Sequence, residues 1–392
     1  MKAAKQPLIG PALIVLAVGS LSGCGGGNND NDPQANNSPD NPEGVITKQI
    51  DATAGGRGVA ADDPANKYTY FNLGTEQVVE LTDAEAETSS DWHIGFKRTN
   101  FKLNSGVSGP AGVKGAVADA QDDFYDVNGD PNSSVFLNAS AASELAALDG
   151  VTSINGLTFV EDRNIPYIKG DGSSEGWWLY AGPPTHAVSA NPDKWWLIKS
   201  AAANSYAKFN VTNIVQASRD IRLDLFIQGV ADSAFSTTAT QWTAAIGAAG
   251  GSRCFDIDIT AEVDCTTAAA DWDIKVEVAG QSWNIWTNGG VSGSGSGGAF
   301  GSFDSTAIAD YLSGTINTSG TVISEMYGQD SAGGLFKDNT WYAYSLQGNN
   351  KLWPNYRVYA IDTGSAQYKL QILSFYDEAG TSGMIKFRYE GL

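Results

Sequence analysis

Asp91-Trp92-His93-Ile94-Gly95-Phe96, followed by Asn104-Ser105-Gly106-Val107-Ser108-Gly109, is written twice in this chain. The second copy reads Asp271-Trp272-Asp273-Ile274-Lys275-Val276, then Asn288-Gly289-Gly290-Val291-Ser292-Gly293. The Trp-to-Trp offset is 272 − 92 = 180 residues and the Asn-to-Asn offset is 288 − 104 = 184. A period that long marks a duplicated domain, not a solenoid unit of roughly 20–50 residues.

Outward from the motif, most segments alternate with period two, are rich in Val, Ile, Tyr, Phe and Trp, and are broken by Gly, Asn, Asp and Pro. That is the pattern of antiparallel strands. Tyr68 to Leu73 and Val78 to Leu81 read as a first hairpin, and Trp92 to Leu103 as the next strand or strand pair. Trp177 to Tyr180, Trp195 to Lys199, Tyr206 to Val215 and Ile221 to Gln228 follow. Trp341 to Leu346, Tyr356 to Ile361, Tyr368 to Tyr376 and Met384 to Tyr389 answer them in the same order. The reading is an all-β, mainly antiparallel protein of two duplicated domains, residues 45–235 and 236–392, each with one short helix at most. Ser140 to Leu148 is the helix candidate in the first domain and Thr306 to Leu312 its counterpart. The boundary is placed near residue 236, in the Ser/Thr/Ala/Gly-rich stretch from Ser236 to Ser252, where Trp242 is expected to pack against a domain.

The N-terminus carries an address. Lys2 and Lys5 precede a short apolar run from Leu8 to Val18, and Leu21-Ser22-Gly23-Cys24 then reads as a bacterial lipobox. Residues 1–23 form the signal peptide. Cys24 is the lipidation site, and residues 24–44 are a Gly/Asn/Asp/Pro/Ser tether too polar to fold. Gly25, where Asp would retain a Gram-negative lipoprotein at the inner membrane, directs it to the outer membrane, facing the periplasm or the cell surface. Nothing after the tether is apolar enough to span a bilayer as a helix.

With 24 Lys+Arg against 44 Asp+Glu, the formal net charge is −20. Phosphate backbones would repel such a chain, so nucleic acid is excluded as a partner class. Of the three cysteines, Cys24 is consumed by lipid. Cys254 and Cys265 flank the alternating run Phe255-Asp256-Ile257-Asp258-Ile259, which suggests a disulfide across two hairpin strands. A metal-binding pair is the weaker alternative, since no His and no further Cys stand nearby.

No nucleophile–base–acid arrangement is present, and the chain has only two histidines, His93 and His186. The reading is therefore non-enzymatic; a two-carboxylate hydrolase has no motif behind it. The Gly-rich segments Asn104 to Gly115 and Asn288 to Gly301 lack the Lys-Ser/Thr of a phosphate loop. They read as wide loops whose backbone lies close either to a ligand or to neighbouring strands. Asp126-Val127-Asn128-Gly129-Asp130 starts like a calcium loop but lacks its closing Glu, and reads as a polar turn.

The doubled Trp-x-Ile-x-(Phe/Val) and Asn-x-Gly-x-Ser-Gly motifs, with their downstream strands behind a lipobox, resemble the HmuY family over roughly residues 45 to 392. These are bacterial haem-binding, haemophore-like surface lipoproteins. The resemblance implies an all-β fold, haem as cofactor, a role in iron acquisition and transfer to an outer-membrane receptor. Haem iron needs axial donors beside an apolar slot. His93 and His186 are the candidates, with Trp178, Tyr180 and Trp195 as candidate pocket walls. Against this stands the plain reading of both histidines as ordinary strand or surface residues and of the aromatics as core. Alternation would put Trp92 and Ile94 on one face of the strand and His93 on the other. The second half has no His; Met326, Met384 or Tyr344 would have to serve there. Its Trp283, Trp286, Trp341 and Trp353 offer rings for sugars, which gives the rival reading of a glycan- or protein-binding adhesion module.

Overall fold

The computed structural model describes residues 44–55, 65–127 and 129–392. The signal peptide, Cys24 and residues 25–43 of the tether lie outside them. In chain order the strands are β1 (Ile46–Asp51), β2 (Thr69–Asn72), β3 (Gln77–Val79), β4 (Ile94–Lys97), β5 (Asn100–Leu103) and β6 (Lys114–Asp119). There follow β7 (Arg163–Ile165), β8 (Trp178–Tyr180), β9 (Val188–Ala190), β10 (Lys194–Lys199), β11 (Tyr206–Val215) and β12 (Asp220–Gln228). The next are β13 (Thr240–Ala245), β14 (Gly251–Asp256), β15 (Ala261–Val263), β16 (Ile274–Ala279), β17 (Ser282–Thr287) and β18 (Gly298–Asp304). The last are β19 (Ser331–Gly333), β20 (Tyr342–Tyr344), β21 (Leu352–Pro354), β22 (Val358–Asp362), β23 (Gln367–Tyr376) and β24 (Ser382–Gly391). Every ladder between these strands is antiparallel.

The sheets are assembled from both halves of the chain. One five-stranded sheet runs β1-β24-β23-β22-β6 and faces the four-stranded sheet β3-β2-β4-β5. The other runs β13-β12-β11-β10-β18 and faces β15-β14-β16-β17. The correspondence is strand for strand: β1 with β13, β24 with β12, β23 with β11, β22 with β10 and β6 with β18. Lobe 1 thus joins the front of the first copy to the back of the second, and lobe 2 joins the back of the first to the front of the second. Their cores follow the same division. Phe71, Ile94, Phe96 and Leu103 pack with Tyr359, Leu370, Ile385 and Phe387 in lobe 1. Trp196, Phe209, Leu223 and Leu225 pack with Trp242, Phe255, Val276 and Ile285 in lobe 2.

This corrects the division at residue 236. That point falls between β12 and β13, which pair from Asp220↔Ala245 to Leu225↔Thr240. Trp242 is buried on β13 against Phe255, with its Nε1 donating to Glu262 at 2.8 Å. The described residues fall within one compact unit. The chain crosses between the lobes twice, and the two crossing segments, β7 and β19, pair with each other: Arg163↔Gly333, Asn164↔Ala332 and Ile165↔Ser331.

Helical content is short; among the described residues the first half holds three α-helices instead of the one expected, and the second half holds one, Leu335–Asp338. Four α-helical segments and three 3-10 turns occur among the described residues. Of the helix expected over Ser140 to Leu148 only the end forms, as Leu145–Gly150; a separate helix, Ser133–Asn138, ends before Ser140. Thr306 to Leu312 holds a 3-10 turn, Ala307–Asp310. Among the described residues no helix is long and apolar enough to cross a membrane.

Candidate functional site

The strand ladder of the first motif begins at Ile94, so period two does not reach back to Trp92. Ile94 enters the lobe 1 core, whereas Trp92 packs with Tyr70 and Ala86 in a separate cluster on the opposite face, its Nε1 donating to the Ala86 carbonyl. The expectation that Trp92 and Ile94 share a face is thus corrected. Over Trp92 sits the ammonium of Lys102, from the neighbouring strand β5; in the second copy Lys275, on the motif's own strand β16, covers Trp272 and Trp286. Both copies keep a cation over the motif tryptophan, from different strands.

His93 does the work that Asp273 does in the other copy. Its backbone N–H donates to Phe71 O, and its Nδ1 accepts the Leu73 N–H at 3.1 Å. The Asp273 N–H donates to Phe255 O, and its carboxylate accepts the N–H groups of Ile257 and Ala201. An imidazole nitrogen that accepts an amide N–H presents its lone pair there, which puts the neutral ring's proton on Nε2. His93 therefore has no free lone pair for a metal, and burial lowers its pKa, which keeps the ring neutral. Desolvation pushes Asp273 up to about 7. Asp256, Asp258 and Asp273 bring carboxylate oxygens within 4.8 Å of one another. Each already accepts hydrogen bonds, from Asp258 and Ile259 N–H, from the Ser205 hydroxyl, and from Ile257 and Ala201 N–H respectively.

The Gly-rich loops hold neighbouring backbone. Buried Asn104 donates to the carbonyls of Ser89 and Trp92 and accepts from Ala111 N–H; Asn288 donates to Ala269 O and accepts from Gly295 N–H. Gly106 (φ +53°) and Gly290 (φ +62°) each lie where a Cβ would come within 2.0 Å of a carbonyl oxygen, Asp162 O and Asp330 O respectively. These two aspartates lead directly into the crossing strands β7 and β19. Asp162 accepts the Leu103 N–H and the Ser108 hydroxyl; Asp330 accepts the N–H groups of Thr287 and Tyr167. Burial pushes both carboxyls up to about 6. Asp126 and Asp130 close a polar turn by mutual bonds, Asp126 N–H to Asp130 O and Asp130 N–H to Asp126 Oδ1.

His186 is placed differently. It lies at the end of the Gly182-Pro183-Pro184-Thr185 turn joining β8 to β9, exposed, with φ +49°. Its Nδ1 pairs with the Tyr180 hydroxyl, and its carbonyl accepts from Gln216 Nε2. When Nδ1 is the donor, Nε2 carries the open lone pair, the arrangement in which an outer acceptor orients a metal-binding imidazole. The equivalent hairpin of lobe 1, β20–β21, repeats the pairing with another side chain. Tyr344 donates to Asn350 Oδ1 at 2.8 Å, six residues on, and Asn350 also has positive φ, +56°. Nothing in the strand pattern alone gave Asn350 away; the matched six-residue spacing shows only once the hairpins are aligned.

Of the expected haem walls only Tyr180, 46% exposed, stands beside His186. Trp178 is core, 8% exposed, packed against Trp177 and Trp283. Trp195 is half-buried against Phe226. His93 and His186 belong to different lobes and do not form a facing pair. The second-half tryptophans are unavailable to sugars as well: Trp283, Trp286 and Trp341 are buried, and Trp353 is half-buried in a small cluster with Phe124 and Phe136. Cys254 and Cys265 form a disulfide across the β14–β15 hairpin, Cα–Cα 5.2 Å.

Residues 65–226 match the HmuY family, by the model described as HmuY protein. The HmuY match runs from just before β2 to near the end of β12, so it spans one sequence copy whose front lies in lobe 1 and whose back lies in lobe 2. It includes both histidines. No curated protein matches the chain. A solved structure from Bacteroides fragilis, described as a lipoprotein, is 11% identical, with a TM-score of 0.31, over 89% of this chain and 91% of its own. Another, from Bacteroides vulgatus and described as an HmuY-like haem-binding protein, is 10% identical, with a TM-score of 0.29, over 88% and 91%. At such scores neither carries an argument here.

Proposed function

We propose that this protein is a non-enzymatic lipoprotein, anchored through Cys24 to the outer membrane, that binds haem through lobe 2 and passes it to an outer-membrane receptor. The observation that carries the reading is the exposed His186 imidazole held at Nδ1 by Tyr180, inside the segment that matches HmuY. His186 fits an axial donor, because one ring nitrogen is oriented by a partner and the other is open. His93 does not fit, because its acceptor nitrogen is spent on the Leu73 amide. Haem, when bound, would supply the iron; the chain supplies the donor, its orientation and the exposed Tyr180 ring beside it.

The test is haem titration of the purified protein, read as a Soret shift. The shift is expected to survive in His93→Asp and to vanish in His186→Ala. Tyr180→Phe is expected to weaken it by roughly 10–100-fold, the usual cost of removing a partner that orients a ligand. A shift unchanged in His186→Ala would end the assignment.

A further inference from the structure

Lobe 1 carries at β20–β21 the counterpart of the Tyr180–His186 hairpin, and there the structure opens a cleft of about 810 Å³. We infer that this cleft is a binding site for a neutral saccharide, independent of haem. Tyr344, 60% exposed, lines the cleft, and its hydroxyl is fixed by Asn350. Tyr342, two residues earlier on the same strand face, also lines the cleft, half-buried against the lobe 1 core, so Tyr344 is the ring that stands free. An aromatic face of this kind offers apolar area to the C–H face of a pyranose while leaving its hydroxyls free.

The polar groups of the cleft suit hydroxyls. Asp122, exposed, also lines the cleft and offers its carboxyl oxygens as hydrogen-bond acceptors. Arg357 is a rigid donor: its Nε bonds Ala120 O at 2.9 Å, its Nη1 bonds Thr340 O at 3.0 Å, and its guanidinium stacks on Tyr125 at 5.0 Å. Asp338, also lining the cleft, is tied to Arg163 by two bonds of 2.7 and 2.8 Å. Acceptor and donor lining one cleft can bracket vicinal hydroxyls, whereas an anionic ligand would meet these carboxylates on a chain of net charge −20. The divergence between the hairpins points the same way. Where lobe 2 has His186, lobe 1 has Asn350, which cannot serve as an axial donor to haem but holds the aromatic ring in the same fashion. The cleft draws Asp122 and Tyr125 from the first copy and Tyr342, Tyr344 and Arg357 from the second, so it exists only because the copies are interleaved.

The test is calorimetric titration of the whole folded chain with cellotriose, maltotriose, mannotriose and chitotriose, after a glycan array has ranked neutral saccharides. Saturable binding to at least one neutral saccharide is expected. It should weaken roughly tenfold or more in Tyr344→Ala and in Asp122→Asn, with an unchanged melting temperature, since both side chains are exposed. It should be unaffected in His186→Ala, and haem titration should be unaffected in Tyr344→Ala, which separates the fate of this site from that of the haem reading. Absence of binding to every neutral saccharide, binding that survives both substitutions, saturation by spermidine alone, or cleavage of the saccharide would each overturn the proposal.

Discussion

Replacing Phe209 with Ala should loosen strands that lie in the other half of the sequence. Phe209, on β11, is fully buried in lobe 2 and stacks on Trp196 with ring centroids 6.0 Å apart. Removing a buried phenylalanine ring typically costs about 3–5 kcal/mol. At roughly 1.4 kcal/mol per tenfold, that raises the open population of the lobe by about two to three and a half powers of ten. Hydrogen exchange read by peptide mass should show it, because local units open with their own free energies. Exchange is expected to accelerate across β10–β12 and equally across β13–β17, while β1–β6 keep their protection. The mirror experiment is Phe387→Ala. Phe387 is fully buried between Phe71 and Phe96, at centroid distances of 5.5 and 5.2 Å. It lies near the C-terminus, yet its loss should release β2–β5. Acceleration in Phe209→Ala that covers β1–β6 and spares β13–β17 would refute the interleaved assembly.

Three further outcomes follow from the same geometry. Asp273, held near 7, and Asp162 and Asp330, held near 6, are all raised by burial, so the folded state binds these protons more tightly than the unfolded chain. Their contribution to stability is complete below the ordinary carboxyl range and is lost as pH rises through about 6–7. His93, lowered by burial, acts in the opposite sense as pH falls below about 6.5. The denaturation midpoint of Asp330→Asn should therefore fall less between pH 5 and pH 7.5 than that of the parent. Gly106→Ala and Gly290→Ala should each lower stability by about 1–3 kcal/mol in thermal melts, because a methyl group at 2.0 Å from a carbonyl oxygen forces the loop off the crossing strand. Opening the Cys254–Cys265 bridge by a double Ser substitution should cost about 2–3 kcal/mol, the chain-entropy value for a loop closed over 11 residues; a loss well under 1 kcal/mol would show that the hairpin register holds without it.

What the sequence made legible was the strand, and what it hid was the partner. Ile221, Leu223 and Leu225 alternate into the core of lobe 2 as their period demands, and Ile274, Val276 and Val278 do the same on β16. Period two says which face is buried and nothing about which of two equivalent sheets receives it. Here β12 and β24 carry the same pattern, so β1 can pair with either. Loop closure does not separate the choices. Pairing β12 with β13 across a dozen residues, with β1 meeting β24 across nearly the whole chain, saves roughly 1.5 kcal/mol, but the same exchange pairs β6 with β22 and β10 with β18 over longer connections and gives about as much back. Contiguous halves were the natural reading because sequence order was the only order visible. The candidate site was half legible for a similar reason. His186 and Tyr180 could be named from composition, since histidine is scarce and a proline turn presents it. Asn350 could not, because an asparagine in a polar loop is unremarked until its backbone is seen to share the left-handed conformation, which Asn and His adopt more readily than other non-glycine residues. The same substitution logic governs the opening motif, where His93 and Asp273 accept the equivalent backbone amides of Leu73 and Ile257, and Asp273 holds the Ala201 amide besides. In both pairs the copies conserve the hydrogen bond that shapes the loop and vary the group that makes it. At the motif that change is silent, because the imidazole's lone pair is spent on the fold. At the hairpin the ring nitrogen is left over, and a histidine in one lobe facing an asparagine in the other is the kind of difference by which two equivalent surfaces come to hold different ligands.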